Sequence, residues 1–419
     1  MTEPVRIHDL ADPELPEWFL ELHDTMGIGP DQPLDPADLR AEAVRREGLD
    51  DFGDPWFVEP FETLVASVEA DGRLSPMGRF QTRELVVGLL TTRLRLARLL
   101  DRHPEILDIP VEAPVVVLGL PRTGTSHLLD LLSADPRFRY LPYWESLEPI
   151  APGDGRPPTD GPDPRLERTE LALTMINTAM PLFPAMHEMS THGAHEEIQL
   201  LAVDFSTMLF EASYEVASYA RWYRRSDQTH AYRTMKVLLQ VLQFLRPAGT
   251  RWLLKSPQHL EQLGPLLTVF PDARIVQTHR DPVAVTASMT TMAAYTRRTN
   301  YEHVDPHAVG ATWSERIEAM LLAAMRDRHL VPADQVMDVR FDEYMADQMA
   351  VLHRVYRLAG VDLTDDAARL LREAIDDRPR GRHGRVAYHL EDVGIDAAER
   401  RAALRPYQER FDVPDEPLD

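Results

Sequence analysis

The chain has 419 residues, 44% hydrophobic and 27% charged, an ordinary globular balance that argues against a mostly disordered or collagen-like chain. Acidic residues outnumber basic ones, 68 to 45, for a formal charge of −23. That argues against a bulk nucleic-acid binder and against docking on an anionic membrane, so a site for an anion must be a local basic island.

The absence of cysteine removes disulfides, thiolate metal sites and cysteine nucleophiles. The opening stretch MTEPVRIHDLADPELPEW lacks the charged-then-apolar pattern of a secretion signal. No apolar run approaches the roughly 20 residues that a membrane helix needs. The expectation is a cytoplasmic protein without stable membrane insertion.

Residues 1–110 read as a mainly helical region packed on the core. Helices are expected over 37–44, 61–69 and 75–100, the last with Ser75 as cap and Pro76 in its first turn. At 113–120 the pattern changes to APVVVLGL, a short valine-rich run that reads as a buried parallel strand. A glycine turn and a helix over 125–134 follow. Residues 151–165 form a Pro/Gly/Asp loop. From 165 to about 245 the chain reads as a helical insertion rich in Met and aromatics. Further strands are expected at 251–255, 273–279 and 336–341, with helices after Pro282, over 307–329 and up to Ala359. Residues 376–395 read as irregular, and 396–419 as a tail with a short helix. Strands alternating with helices predict an α/β fold: a P-loop-like central parallel β-sheet flanked by helices, within a core of 111–395.

Two segments carry anion chemistry. GLPRTGTS, Gly119 to Ser126, follows a strand and opens a helix, with glycines at P-loop spacing. Backbone N–H groups of such a loop converge with the helix N-terminus on one phosphate. A nucleoside triphosphatase has Lys where Thr125 stands, and here the cation comes earlier, at Arg122. An ATP–magnesium kinase is therefore disfavoured. HRDPVAVTAS, His279 to Ser288, closes another strand. Asp281 can cap the helix, leaving Arg280 and Ser288 to grip a second phosphate.

These motifs resemble the sulfotransferases that use 3′-phosphoadenosine 5′-phosphosulfate (PAPS), in particular their bacterial branch. The resemblance rests on GLPRTGTS as the 5′-phosphosulfate loop, Arg280 with Ser288 as the 3′-phosphate motif, and LLKSPQHL at 253–260. Asp135, Pro136, Tyr143, Trp144, Glu145 and the run RGRHGR at 380–385 support it, in the family's order over 113–395. It implies PAPS as co-substrate, no metal, and a cradle of Pro121, Arg122, Thr123, Gly124, Thr125 and Ser126. Arg382 and Gly384 would close over the 3′-phosphate.

Sulfuryl transfer is an in-line displacement that needs positioning, charge stabilisation and a base. Arg122 and Lys255 are the expected cations, and Lys255 is one of only two lysines in the chain. Three candidates stand for the base. Glu145 lies at a family-like distance after Arg122, His195 lies with Glu196 and Glu197 in the insertion, and His259 lies four residues after Lys255. An HExxH zinc motif starting at His187 fails at Thr191, so no metal site is expected. The Met-rich insertion predicts a lid over a hydroxyl-bearing hydrophobic small molecule or lipid. Two rival readings are a P-loop small-molecule kinase and a non-catalytic nucleotide-binding relative.

Overall fold

A computed structural model of the chain describes residues 3–25, 32–156, 161–378 and 382–417. Its centre is a five-stranded parallel sheet in the order β2-β3-β1-β4-β5. The strands are β1 (Val115–Leu118), β2 (Phe138–Arg139), β3 (Arg251–Lys255), β4 (Arg274–His279) and β5 (Val336–Arg340). β1 sits between β3 and β4, with Val117 opposite Lys255 on one side and opposite Val276 on the other.

The valine run explains that central place. Val115, Val116, Val117 and Leu118 are all fully buried. Successive side chains point to opposite faces, and the packing follows that alternation. Val116 and Leu118 join a large cluster with Leu254 and Ile275. Val115 and Val117 join a second one with Leu128, Leu253, Val276, Val355 and Leu371. Each such side chain contributes roughly 1.5–3 kcal/mol through burial. A strand apolar on both faces has to be interior.

The large cluster also holds Leu90 and Leu94 of the helix Pro76–Arg102, and Tyr219 and Tyr232 of the segment after 165. The N-terminal helices and the insertion thus share one core with the sheet. Ser75 caps its helix as expected, its Oγ accepting from the Gly78 N–H at 3.0 Å. Gly78 itself is required by close approach: a Cβ there would lie 2.2 Å from the Asn300 carbonyl oxygen.

The departures from expectation are local. β2 was not foreseen, because two residues of an edge strand carry no periodicity. The helices Glu17–Thr25 and Asp365–Asp376 were also missed. The final helix is longer than expected, Ala397–Phe411, and carries Pro406 inside it. Arg380 and Gly381 of the basic run, and part of the 151–165 loop, lie outside the described residues. Among the described residues no helix is long and apolar enough to cross a membrane.

Candidate active site

The carboxyl ends of β1, β3 and β4 meet where the chain's connections diverge to the two sides of β1, which is where open α/β sheets form a ligand crevice. The loop after β1 is fixed from below. A Cβ on Gly119 would lie 2.0 Å from Thr278 Oγ1, so only glycine passes β4 there. Thr123 Oγ1 pairs with Thr278 Oγ1 at 2.6 Å and donates to the Leu120 carbonyl at 2.7 Å. Thr123 therefore ties the loop to the sheet, whereas Pro121, Arg122, Gly124, Thr125 and Ser126 line the cavity above it.

Gly124 has φ +90° and Arg122 has φ +71°. A left-handed arginine stores strain, roughly 1–3 kcal/mol, of the kind that persists where surrounding contacts impose it. Here those contacts are visible. Arg122 donates from Nε to Ser288 Oγ at 3.1 Å and from its guanidinium to the Met186 carbonyl. Its own carbonyl accepts from Arg280 at 2.8 Å. The helix Thr125–Leu132 then begins. Its first-turn N–H groups have no intrahelical acceptors and carry positive partial charge.

Lys255 ends β3 and is buried. Its Nζ donates to Ser126 Oγ at 3.0 Å and pairs with Glu196. Its backbone N–H donates to Glu197 at 2.8 Å. Glu197 also pairs with His259, whose other ring nitrogen meets Tyr232 Oη at 2.7 Å. This buried chain braces the lysine. Arg280 projects just past β4, with its guanidinium 4.2 Å from the centre of the Phe341 ring. Asp281 caps the next helix through the Val283 N–H at 2.9 Å. From the basic run, Arg382 pairs with Glu188, Nε to Oε2 3.0 Å, and Gly384 lines the same cavity.

The placement of the three candidate bases corrects part of the sequence reading. Glu145 is buried away from the cavity, held by Arg139 at 2.5 Å and Arg246 at 2.9 Å. His259 is buried in the Tyr232–His259–Glu197 chain and does not reach the cavity either. Both carboxylate and imidazole are engaged in buried pairs instead. His195 does line the cavity, its ring 4.5 Å from Tyr143 and 6.2 Å from His187.

His187, which the sequence offered only as a failed zinc motif, also stands at the cavity. Burial, followed by Lys255 and Arg122, pushes its imidazole down to about 3. Among the described residues neither of its ring nitrogens has a hydrogen-bond partner. It is a neutral imidazole held near two cations. Burial pushes His195 down as well. Asp130, one turn along the loop's helix, is raised to about 6 by burial, which outweighs Arg378 and Lys255.

From these groups the cavity, about 870 Å³, runs into an apolar region lined by Met175, Ile176, Met180, Phe183, Met289 and Met292. The first four come from the insertion. Other aromatics of that insertion, Tyr219 and Tyr223, are fully buried core instead. Phe341 and Tyr344 lie against Gly124 and also line the cavity, a placement no sequence motif marked. Among the described residues no group of three or more His, Asp or Glu side chains is set to hold a metal ion.

A family model described as the sulfotransferase family matches residues 114–365. The crystal structure of a sulfotransferase from Mycobacterium avium is 29% identical, with a TM-score of 0.81 over 92% of this chain and 98% of that one. A sulfotransferase from Mycobacterium tuberculosis H37Rv is 28% identical, with a TM-score of 0.77 over 90% and 100%. Both likenesses extend beyond the family match into the flanking helices. No curated protein matches the chain significantly.

Proposed function

The chain belongs to the sulfotransferase family, and we propose that it moves a sulfuryl group from PAPS to the hydroxyl of a hydrophobic small molecule or lipid, without a metal. The observation that carries this reading is that Arg122 and Ser126, the latter hydrogen-bonded by the buried Lys255, meet at one end of a methionine-lined cavity. The loop has the character of an oxyanion cradle. Gly119 admits no side chain, and Ser126 is exposed into the cavity beside Lys255.

In this reading the first-turn N–H groups of Thr125–Leu132, with Ser126, hold the 5′-phosphosulfate. Arg122 and Lys255 spread the charge on the transferring group and on the departing phosphate oxygen. They supply what a magnesium ion supplies in phosphoryl transfer. Arg280 and Ser288 receive the 3′-phosphate, with Arg382 and Gly384 closing over it. His187 takes the acceptor's proton, and His195 packs behind it. The acceptor oxygen gains a bond to sulfur as the sulfur–oxygen bond to the 5′-phosphate breaks, and that phosphate oxygen keeps the electron pair.

An aliphatic or aromatic acceptor buries its body among Met175, Met180, Met289 and Met292, side chains whose flexibility suits irregular shapes. The test is transfer of labelled sulfate from PAPS to a panel of long-chain and aromatic alcohols in EDTA. The expected result is turnover that EDTA does not reduce and that Arg122→Ala lowers at least about 100-fold. Magnesium-dependent turnover of ATP, with none of PAPS, would overturn the reading.

A further inference from the structure

Arg280 does not stand ready for a ligand. Its Nε and Nη2 fork both oxygens of the Glu416 carboxylate, each at 2.7 Å. A planar carboxylate on a guanidinium fork has the geometry with which arginine also holds phosphate. The third donor direction is committed to the Arg122 carbonyl, and the face is covered by Phe341. The fork that Glu416 fills is thus the side open to a ligand.

Glu416 is brought there by a built connection. The helix Ala397–Phe411 ends with Asp412 in the left-handed region, φ +53°. Val413 then packs into the core, and its N–H donates to the Gln408 carbonyl at 2.9 Å. Asp415 accepts from Gln408 at 2.8 Å and pairs with Arg401. The Glu416 N–H donates to Asp281 Oδ2 at 2.7 Å, on the residue that caps the helix after β4. Val413 and Asp415 are firmly held, whereas Glu416 rests on two contacts, both at the second anion motif.

We propose that Glu416 is an internal stand-in for the 3′-phosphate. It fills the Arg280 fork in the free protein and leaves when a phosphate enters, so that nucleotide binding and release of Glu416 are one event. This rests on the reading of Arg280 as the 3′-phosphate group. One guanidinium fork cannot hold both anions, so the carboxylate lowers apparent affinity by the fraction of molecules in which the fork is open. The device discriminates ligands as well. A nucleotide lacking the 3′-phosphate does not compete for Arg280 and gains nothing when Glu416 is removed.

The experiment compares the full chain with Glu416→Gln, using calorimetric titration with adenosine 3′,5′-bisphosphate and with adenosine 5′-monophosphate. The expected result is roughly three- to tenfold tighter bisphosphate binding in the variant, with monophosphate binding unchanged. Hydrogen exchange gives an independent sign. In the native chain, bisphosphate should speed exchange of the Glu416 amide, while slowing it in the loop after β1.

Unchanged or weaker bisphosphate binding in Glu416→Gln, with Arg280→Ala still abolishing the preference over monophosphate, would overturn the stand-in and leave the site reading intact. Equal affinity for the two nucleotides in the native chain, Glu416→Gln and Arg280→Ala would overturn both.

Discussion

Arg122 Nε donates to Ser288 Oγ at 3.1 Å, a bond between residues 166 positions apart in the chain. It joins the loop after β1 to the helix after β4, and Arg280 closes the circuit by donating to the Arg122 carbonyl at 2.8 Å. The two anion motifs are therefore one wall. Groups acting as a unit are not additive when removed. Arg122→Ala should lower kcat by roughly 100- to 1000-fold, the scale of a lost transition-state donor. Ser288→Ala should cost about tenfold, and the double variant no more than Arg122→Ala alone. Single-turnover rates at saturating PAPS measure this, and full additivity would mean that the two motifs act separately.

His187 gives a pH signature. Burial lowers its pKa to about 3, so the ring is already neutral above that value and gains nothing as pH rises through 6. A base of this kind leaves kcat/KM without an imidazole limb between about pH 5 and 8. His187→Asn should lower kcat by at least about 100-fold, and His195→Asn by less than tenfold. If His195→Asn lowered kcat more than His187→Asn, the base would be His195.

Much of this was legible beforehand, for reasons particular to each segment. The run at 115–118 is apolar on both faces, so it had to be an interior strand. Gly119, Gly124 and Asp281 perform backbone tasks that few other residues can. By contrast, the position of Glu145 depends on β2, two residues long, and on Arg246 at the far end of the helix Thr229–Leu245. No local pattern announces a contact across 101 residues. His187 is likewise placed by the fold of the insertion, not by its neighbours in sequence. Glu416 carried no signal at all, because a carboxylate in an acidic tail reads as solvated.

Met292 tests the acceptor reading. It lies on the helix Pro282–Thr296 and lines the apolar region. Met292→Trp would fill part of that space, and an overpacked pocket costs roughly 1–3 kcal/mol. KM for long-chain acceptors should rise at least about fivefold, while stabilisation by adenosine 3′,5′-bisphosphate in thermal unfolding stays the same. If acceptors of every length were affected equally, the chain would not lie along this helix.

Asp130 makes stability depend on pH. Its folded pKa, raised to about 6 mainly by burial, exceeds that of the unfolded chain. The carboxyl therefore favours folding when protonated, and that contribution is lost as pH rises through 6. At neutral pH the ionised group costs roughly 3 kcal/mol. Asp130→Asn should raise stability towards urea at pH 7.5, and the gain should shrink as pH falls from 6 to 4. A gain that did not change with pH would show that folding leaves the pKa of Asp130 where the unfolded chain has it.

Glu145 separates bracing from catalysis. Its carboxylate meets Arg139, which is 3% exposed, and Arg246, which is 45% exposed. Arg139 also lies 4.7 Å from the Trp252 ring and has no route to water. Glu145→Gln keeps the shape but leaves that guanidinium buried without a counter-charge, a change that typically destabilises by about 3–5 kcal/mol. Urea unfolding should show most of this loss. The folded fraction should keep kcat within about twofold, because Glu145 does not reach the cavity where transfer takes place. A kcat reduced 100-fold at unchanged stability would restore Glu145 as the base and displace His187.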